Sequence, residues 1–100
     1  MRPNDIYRWR GFRGSDFALV AQGEIFDFLE TVIVIPLFRD SEQPAIDLIN
    51  PVIDVEGVAY QARTELIGAA PRPALQAFVT SADAFSVDIS RAINRLTQGF

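Results

Sequence analysis

The chain has no cysteine, no histidine and no lysine among its 100 residues. Without cysteine no disulfide can form, and nothing indicates an oxidising compartment. The lack of histidine and lysine also excludes Ser/His/Asp triads, Cys/His dyads and Schiff-base chemistry, and it removes the usual zinc ligands. Only carboxylates, hydroxyl groups and arginine remain for catalysis. We therefore predict that the protein is not an enzyme and that it holds no metal and no other cofactor.

Long apolar runs and long charged runs are absent as well. No stretch reaches the roughly 18 apolar residues that span a bilayer, and the N-terminal "MRPNDIY" lacks the apolar core of a signal peptide. We expect a cytoplasmic protein without membrane contact. The net charge is −4, and nucleic-acid binding normally requires a clustered basic face. No direct nucleic-acid binding is therefore expected.

What is present is a globular composition with 49% hydrophobic and 22% charged residues, and residues 1–100 show no repeat or linker, so we expect a single domain. Alternating or continuously apolar segments predict strands, and a 3.6-residue period predicts one helix. The fold class is then α+β and mostly β, either a twisted antiparallel sheet or an SH3-like barrel, closed by a long C-terminal helix. The predicted strands are Ile6–Arg10, Phe17–Gln22, Val32–Phe38, Val52–Val55, Val58–Ala62, "ELIGAA" and Ala74–Val79, and the helix is Phe85–Gln98.

Some positions carry more specific expectations. Pro36 cannot donate a ladder hydrogen bond, so it should lie at an edge, at a bulge or at a strand end. The segment "GEIFDFLET" is compatible with a loop or with a short helical turn. In the helix, Ser86 is a candidate N-cap. One apolar stripe of the helix should pack on the core, namely Ile89, Ala92, Ile93 and Leu96.

Four segments of the sequence are informative together: "VAQGEIFD" (20–27), "VIPL" (34–37), "PVIDVEG" (51–57, with Tyr60 and Thr64 behind it) and the tail "DISRAINRLTQGF" (88–100). They resemble the CcdB family, the toxins of plasmid and chromosomal toxin–antitoxin modules that serve plasmid maintenance. Their order and spacing agree with the family over nearly the whole chain. The resemblance implies a twisted five-stranded sheet with a small second sheet, a long C-terminal helix and a homodimer.

The resemblance also implies a target. In CcdB toxins the end of the helix enters the A subunit of DNA gyrase and traps the covalent gyrase–DNA cleavage complex. The family ends in Trp-Gly-Ile, and this chain ends in Gln98, Gly99 and Phe100, so glutamine replaces a tryptophan whose area and stacking it cannot supply. Ile25 and Asn94 match two further positions. The gyrase-binding residues implied are Ile25, Asn94, Gln98, Gly99 and Phe100.

A CcdA-type antitoxin is the second partner that the resemblance implies, as a short acidic protein that folds on binding. Arg8, Arg10 and Arg13 are candidates for its acidic contacts, although a solvated strand face would explain them equally well. Two alternative functions stay open. One is a homologue with weak or redirected activity because of Gln98, and the other is an endoribonuclease of the MazF/Kid kind, whose barrel resembles that of CcdB.

Overall fold

The computed structural model describes residues 1–42 and 44–99. In these residues the chain forms seven strands and one α-helix, joined by turns and short 3-10 segments. They are β1 (Asp5–Trp9), β2 (Phe17–Val20), β3 (Thr31–Arg39), β4 (Val52–Val55), β5 (Val58–Ala62), β6 (Gly68–Pro71), β7 (Leu75–Ser81) and α1 (Ser86–Gln98). Phe100, one of the predicted gyrase-binding residues, lies outside the described residues.

The strands form one antiparallel sheet in the order β4-β5-β3-β2-β1-β7. β3 is long enough to have two partners along one side, since residues 31–34 pair with β6 and residues 37–39 pair with β5. From β6 the chain passes through a three-residue 3-10 turn to β7, which pairs with β1. This connection and the twist of the strands curl the sheet into a half-barrel. The predicted α+β, mostly β fold with one C-terminal helix is confirmed.

The central strands β2 and β3 are buried on both faces of the sheet, and the two faces form separate cores. Successive residues of a strand point to opposite sides, so Phe17 and Leu19 of β2 join one cluster while Ala18 and Val20 join the other. The first cluster includes Ile89 of α1 and lies between the sheet and the helix. The second lies inside the curl of the sheet and consists of strand residues. Burial on both faces explains the continuous apolar runs in the sequence.

The hairpin of β4 and β5 has the bounds that the sequence predicts. Its two turn residues, Glu56 and Gly57, have φ angles of 52° and 86°. Two positive φ angles suit the right-handed twist of a hairpin, and glycine adopts such an angle without strain. Most other predicted strands differ from the observed ones by one or two residues at an end. The ambiguous segment "GEIFDFLET" forms a 3-10 turn over Glu24–Phe26 and then a loop.

Pro36 lies inside β3, which is neither the edge nor the strand end that its missing amide hydrogen predicted. It faces Ala18 of β2 in the ladder, and its carbonyl oxygen accepts the amide of Arg63 at 3.1 Å on the other side. The nitrogen and the oxygen of a strand residue point to the same side. The Pro36 nitrogen therefore faces the gap where the partner of β3 changes from β6 to β5, and no ladder hydrogen bond is lost there.

The helix α1 begins one residue later than predicted. Ser86 is its first residue and not its N-cap, because a 3-10 turn over Asp83–Phe85 runs directly into the helix. The predicted apolar stripe is buried at Ile89 and Ala92, but Leu96 is 37% exposed. The helix thus packs on the core through its first half and leaves it toward its C-terminal end.

Candidate functional site

The C-terminal end of α1 is an exposed structure that carries most of the predicted gyrase-binding residues. Asn94, Gln98 and Gly99 are all exposed. A hydrogen bond attaches the last turn of α1 to the segment between β3 and β4, because Arg95 Nη1 donates to the Leu48 carbonyl at 3.3 Å. Within the helix, Thr97 Oγ1 donates to the Ile93 carbonyl at 2.9 Å. The helix therefore ends in a regular turn that exposes both polar and apolar side chains to solvent.

Gly99 has a structural role that the sequence resemblance does not invoke. Its φ of 80° places it in the left-handed region, and its amide donates to the Arg95 carbonyl at 2.9 Å. This is the usual way in which a glycine ends a helix. No atom outside its chain neighbours lies within 4 Å of the position that a Cβ would take on Gly99. Its glycine identity is therefore explained by backbone geometry alone.

Ile25 lies on the connection between β2 and β3, which we call the 24–29 loop (residues 24–29). Ile25 and Phe28 are each 79% exposed, and Phe26 and Leu29 are exposed as well. So many large apolar side chains on one loop are unusual for a surface that meets only water, and they are typical of an interaction site. In residues 1–42 and 44–99 no hydrogen bond or ion pair joins this loop to α1.

Two side chains that no motif in the sequence singles out hold the 24–29 loop in place. The side chain of Gln22 links the loop to β3. Its Nε2 donates to the Phe26 carbonyl at 3.1 Å, and its Oε1 accepts a hydrogen bond from the amide of Ile33 at 3.1 Å. Arg72 closes the loop from the other side, with Nη1 donating to Asp27 Oδ1 at 3.0 Å and Nη2 donating to the Leu29 carbonyl at 2.7 Å. Arg72 and Asp27 are 45 residues apart, so no local pattern could reveal the pair.

The carboxylate of Asp27 forms ion pairs with two positively charged groups of the chain. The N-terminal ammonium of Met1 donates to its Oδ2 at 3.1 Å, and Arg72 donates to its Oδ1. The hydrogen bond from the ammonium, followed by that from Arg72, lowers the pKa of the Asp27 carboxyl below its ordinary value. The charged form is thus the one that secures the loop at neutral pH.

We expect the substitution Asp27→Asn to reduce the loss of folding stability that occurs as the pH falls into the acidic range. A carboxyl with a lowered folded pKa contributes stability above its unfolded pKa, near 3.8, and that contribution is lost as the pH falls through the folded value. The wild type should therefore lose more stability than the variant below about pH 4. Melting temperatures between pH 2.5 and 7, with hydrogen exchange of the loop amides, would measure this. Asp47→Asn is the control, because Asp47 is exposed and has no ion pair in the described residues.

The three candidate antitoxin-binding arginines do not form one row. Arg8 lies over the Phe17 ring at 5.2 Å from its centroid, and so it belongs to the helix-facing side of the sheet. β1 ends at Trp9, so Arg10 and Arg13 lie in the loop that follows and are exposed. Only Arg10 and Arg13 are thus close to one another along a single loop.

Residues 1–42 and 44–99 contain no group of three acidic side chains placed to hold a metal ion. In the same residues, no helix has both the length and the apolar character needed to cross a membrane.

The described residues form a curled antiparallel sheet that is closed by one C-terminal helix. The family model of the CcdB protein matches residues 5–99, and the chain therefore belongs to the CcdB family of toxin–antitoxin toxins. No curated protein matches the sequence.

Two solved structures are similar to this chain in fold. An endoribonuclease in complex with its cognate antitoxin, from a mycobacterial species, superposes with a TM-score of 0.82 at 13% identity, covering 100% of this chain and 98% of that one. An endoribonuclease from a mycobacterial species superposes with a TM-score of 0.75 at 12% identity, covering 97% of this chain and 90% of that one. At such low identity the similarity shows the shared fold.

The prediction that the protein is not an enzyme is contradicted by these two structures, because both are named endoribonucleases. The prediction relied on the absence of histidine, cysteine and lysine, and that argument was too strong. Carboxylates, tyrosine and arginine can move protons and stabilise a charged phosphate without histidine. The absence of histidine, cysteine and lysine therefore does not exclude an enzyme.

Proposed function

We propose that this protein is a toxin that acts on DNA gyrase through the exposed end of α1. The observation that carries the proposal is the family match over residues 5–99, which includes the helix end up to Gly99. The exposure of Asn94, Gln98 and Gly99 supports it, since a docking element must be free to enter its partner. Gln98 offers less contact area than the tryptophan of the family pattern, and so the affinity for gyrase should be lower than in the family.

The 24–29 loop is the second part of the proposed gyrase-binding surface. Ile25 carries the resemblance, and its 79% exposure makes it available to a partner. Gln22 and Arg72 hold the loop from both sides, so the apolar side chains are presented in a fixed arrangement and binding need not order them.

The proposal includes two protein partners in the cytoplasm. One is a second copy of the chain, because exposed apolar side chains on one molecule are most commonly covered by two-fold pairing. The other is an acidic CcdA-type antitoxin, supported by the fold similarity to an endoribonuclease that was solved with its cognate antitoxin. Light scattering at micromolar concentration should give about twice the chain mass of 11.1 kDa.

An endoribonuclease is the second candidate function, and the fold similarity to two endoribonucleases favours it. RNA cleavage by attack of a ribose 2′-oxygen on the adjacent phosphorus needs a proton acceptor, a proton donor for the leaving 5′-oxygen and a cation. Tyr7 is the proton donor to test in this chain: burial, followed by the charges of Asp5 and Asp27, raises the pKa of its hydroxyl, so the proton that it would donate is in place at neutral pH. Asp5 would accept the 2′-hydroxyl proton, because Asp27 is already bound to Met1 and Arg72, and Arg72 supplies the nearby positive charge.

Two assays on the same purified sample separate the candidates. In the first, gyrase and supercoiled plasmid are incubated with the protein, and trapped cleavage complexes are released as linear DNA by detergent. In the second, a labelled single-stranded RNA is incubated with the protein and with the Tyr7→Phe variant. Linear DNA with intact RNA supports the gyrase proposal. RNA cut by the wild type but not by Tyr7→Phe supports the second candidate, and no effect in either assay contradicts both.

A further inference from the structure

A buried polar cluster lies where the chain leaves β5 and enters β4. Its centre is the guanidinium group of Arg63, a residue that is 8% exposed. Nη1 donates to Asn50 Oδ1 at 3.1 Å and to Glu65 Oε2 at 3.3 Å, and Nη2 donates to the Pro44 carbonyl at 3.3 Å. Burying a charge is costly unless the charge is paired and hydrogen-bonded. Arg63 therefore keeps these partners in a fixed arrangement around it.

The cluster shapes the segment that leads into β4, which we call the 44–50 connector (residues 44–50). None of these residues belongs to a strand or to a helix. Asn50 is 2% exposed and closes a turn of the connector, because its Oδ1 accepts the amide of Ile46 at 2.9 Å and its amide donates to the Ile46 carbonyl at 2.7 Å. Its Nδ2 donates to Glu65 Oε1 at 2.7 Å. The shape of the connector thus depends on side-chain contacts with the cluster.

The connector in turn supports the last turn of α1. Arg95 Nη1 donates to the Leu48 carbonyl, and the Arg95 carbonyl accepts the Gly99 amide that ends the helix. Over residues 1–42 and 44–99 no other hydrogen bond joins the connector to α1, and a cleft of about 190 Å³ opens between them. The Arg95 side chain is therefore the polar link between the connector and the helix end.

We propose that Asn50 and Arg63 are positioning residues for the exposed end of α1, on which they act through the connector and the Arg95–Leu48 hydrogen bond. The inference rests on the proposed function for the partner that this helix end enters. Leu96 is 37% exposed, so core packing holds the last turn weakly, and a helix end with few buried contacts opens readily. A docking element that is held in place before binding loses less conformational entropy when it enters its partner.

Hydrogen exchange of the protein alone tests this path without any partner. Asn50→Ala removes the acceptor of the Ile46 amide, and we expect about three- to tenfold faster exchange of the Ile49 amide and of the amides of residues 97–99. Arg95→Gln should speed exchange at residues 97–99 alone, because the connector keeps its own contacts. The double variant should exchange there within about twofold of Asn50→Ala, since both changes break the same link.

Three further variants control for other effects on exchange. Arg91→Gln makes the same charge change on an exposed residue of α1 that has no hydrogen bond or ion pair in the described part of the chain, so its exchange should match the wild type. Arg95→Lys keeps a donor for the Leu48 carbonyl and should lie between the wild type and Arg95→Gln. Ser15→Ala removes a buried hydroxyl that donates to the Leu37 carbonyl, away from α1. It should lower the melting temperature without faster exchange at residues 97–99.

Inhibition of gyrase measures the consequence for docking. Asn50 and Arg63 are buried and cannot touch a partner, so a change at Asn50 acts only through the shape of the protein. We expect Asn50→Ala to need about three- to tenfold more protein to inhibit supercoiling, and Ser15→Ala to inhibit like the wild type. If circular dichroism shows that Asn50→Ala does not fold, Glu65→Gln replaces it. That variant keeps the side-chain size and removes the charge that pairs with Arg63, with the same expected direction in every measurement.

Several outcomes would overturn the inference. One is wild-type exchange at residues 97–99 in Asn50→Ala, another is full additivity of Asn50→Ala and Arg95→Gln, and a third is an equal effect of Arg91→Gln and Arg95→Gln. An equal loss of inhibition in Asn50→Ala and Ser15→Ala would also overturn it, because it would reflect a general loss of stability. A wild type that does not inhibit gyrase refutes the gyrase proposal, and the exchange measurements then decide the inference by themselves.

Discussion

A chain that lacks Gly99 and Phe100 is expected to need at least about 100-fold more protein to inhibit gyrase, because a few residues usually carry most of the energy of an interface. Its stability should change little. Gly99 is exposed and no atom crowds it, and its one hydrogen bond is the helix-ending contact with the Arg95 carbonyl. Supercoiling inhibition and melting temperature, measured on the same sample, would check the two halves of this expectation.

The substitution Gln98→Trp is the matched gain-of-function arm of that experiment. Gln98 is exposed, so a larger side chain fits there without repacking the core. Tryptophan adds apolar area and stacking, and inhibition should strengthen by about tenfold or more if the helix end enters gyrase. A truncated chain that still inhibits, or one that unfolds, would contradict the role of the tail. An unchanged inhibition by Gln98→Trp would mean that this position does not meet the target.

Replacing Ile89 by alanine is expected to cost about 2–5 kcal/mol of the free energy of unfolding. Ile89 is 3% exposed and joins the core between the sheet and α1, so the substitution leaves a cavity that the rigid sheet cannot close. For a domain of this size, such a loss lowers the melting temperature by about 10 °C or more. Urea denaturation and thermal melting would measure the change.

Val87→Ala is the control for that substitution on the same helix. Val87 is 64% exposed, and alanine forms helices more readily than valine, so its stability should stay within about 0.5 kcal/mol of the wild type. If the two variants were equally stable, α1 would not be packed on the sheet through its Ile89 face. If both were strongly destabilised, the outer face of α1 would be covered in solution by another surface, such as a second copy of the chain.

The helix and the central hairpin could be predicted from the sequence, because both depend on residues that are close in the chain. The 3.6-residue spacing of apolar residues from 85 to 96 defines α1 within one residue. Glu56 and Gly57 between the segments Val52–Val55 and Val58–Ala62 define the turn of the β4–β5 hairpin. The exposure of Gln98 and Gly99 agrees with their position beyond the last buried turn of the helix.

The pairing of distant strands is where prediction from the sequence ended. Pro36 shows why, since its missing hydrogen is harmless in β3 only because β6 and β5 meet the strand on either side of it. No residue near Pro36 in the sequence indicates that the partner of β3 changes there from β6 to β5. The assignment of Ser86 as the N-cap failed similarly, because a preceding 3-10 turn at 83–85 took over the start of the helix.

The sequence by itself determined which segments are strands or helix and which side chains are apolar, and its resemblance to the CcdB family indicated the class of protein. Only the tertiary structure joined Arg72 to Asp27 on the 24–29 loop. The physical reason is that periodicity records the local backbone state and the buried face of each element. Which of several apolar strands become neighbours depends instead on closing long loops and packing one shared core.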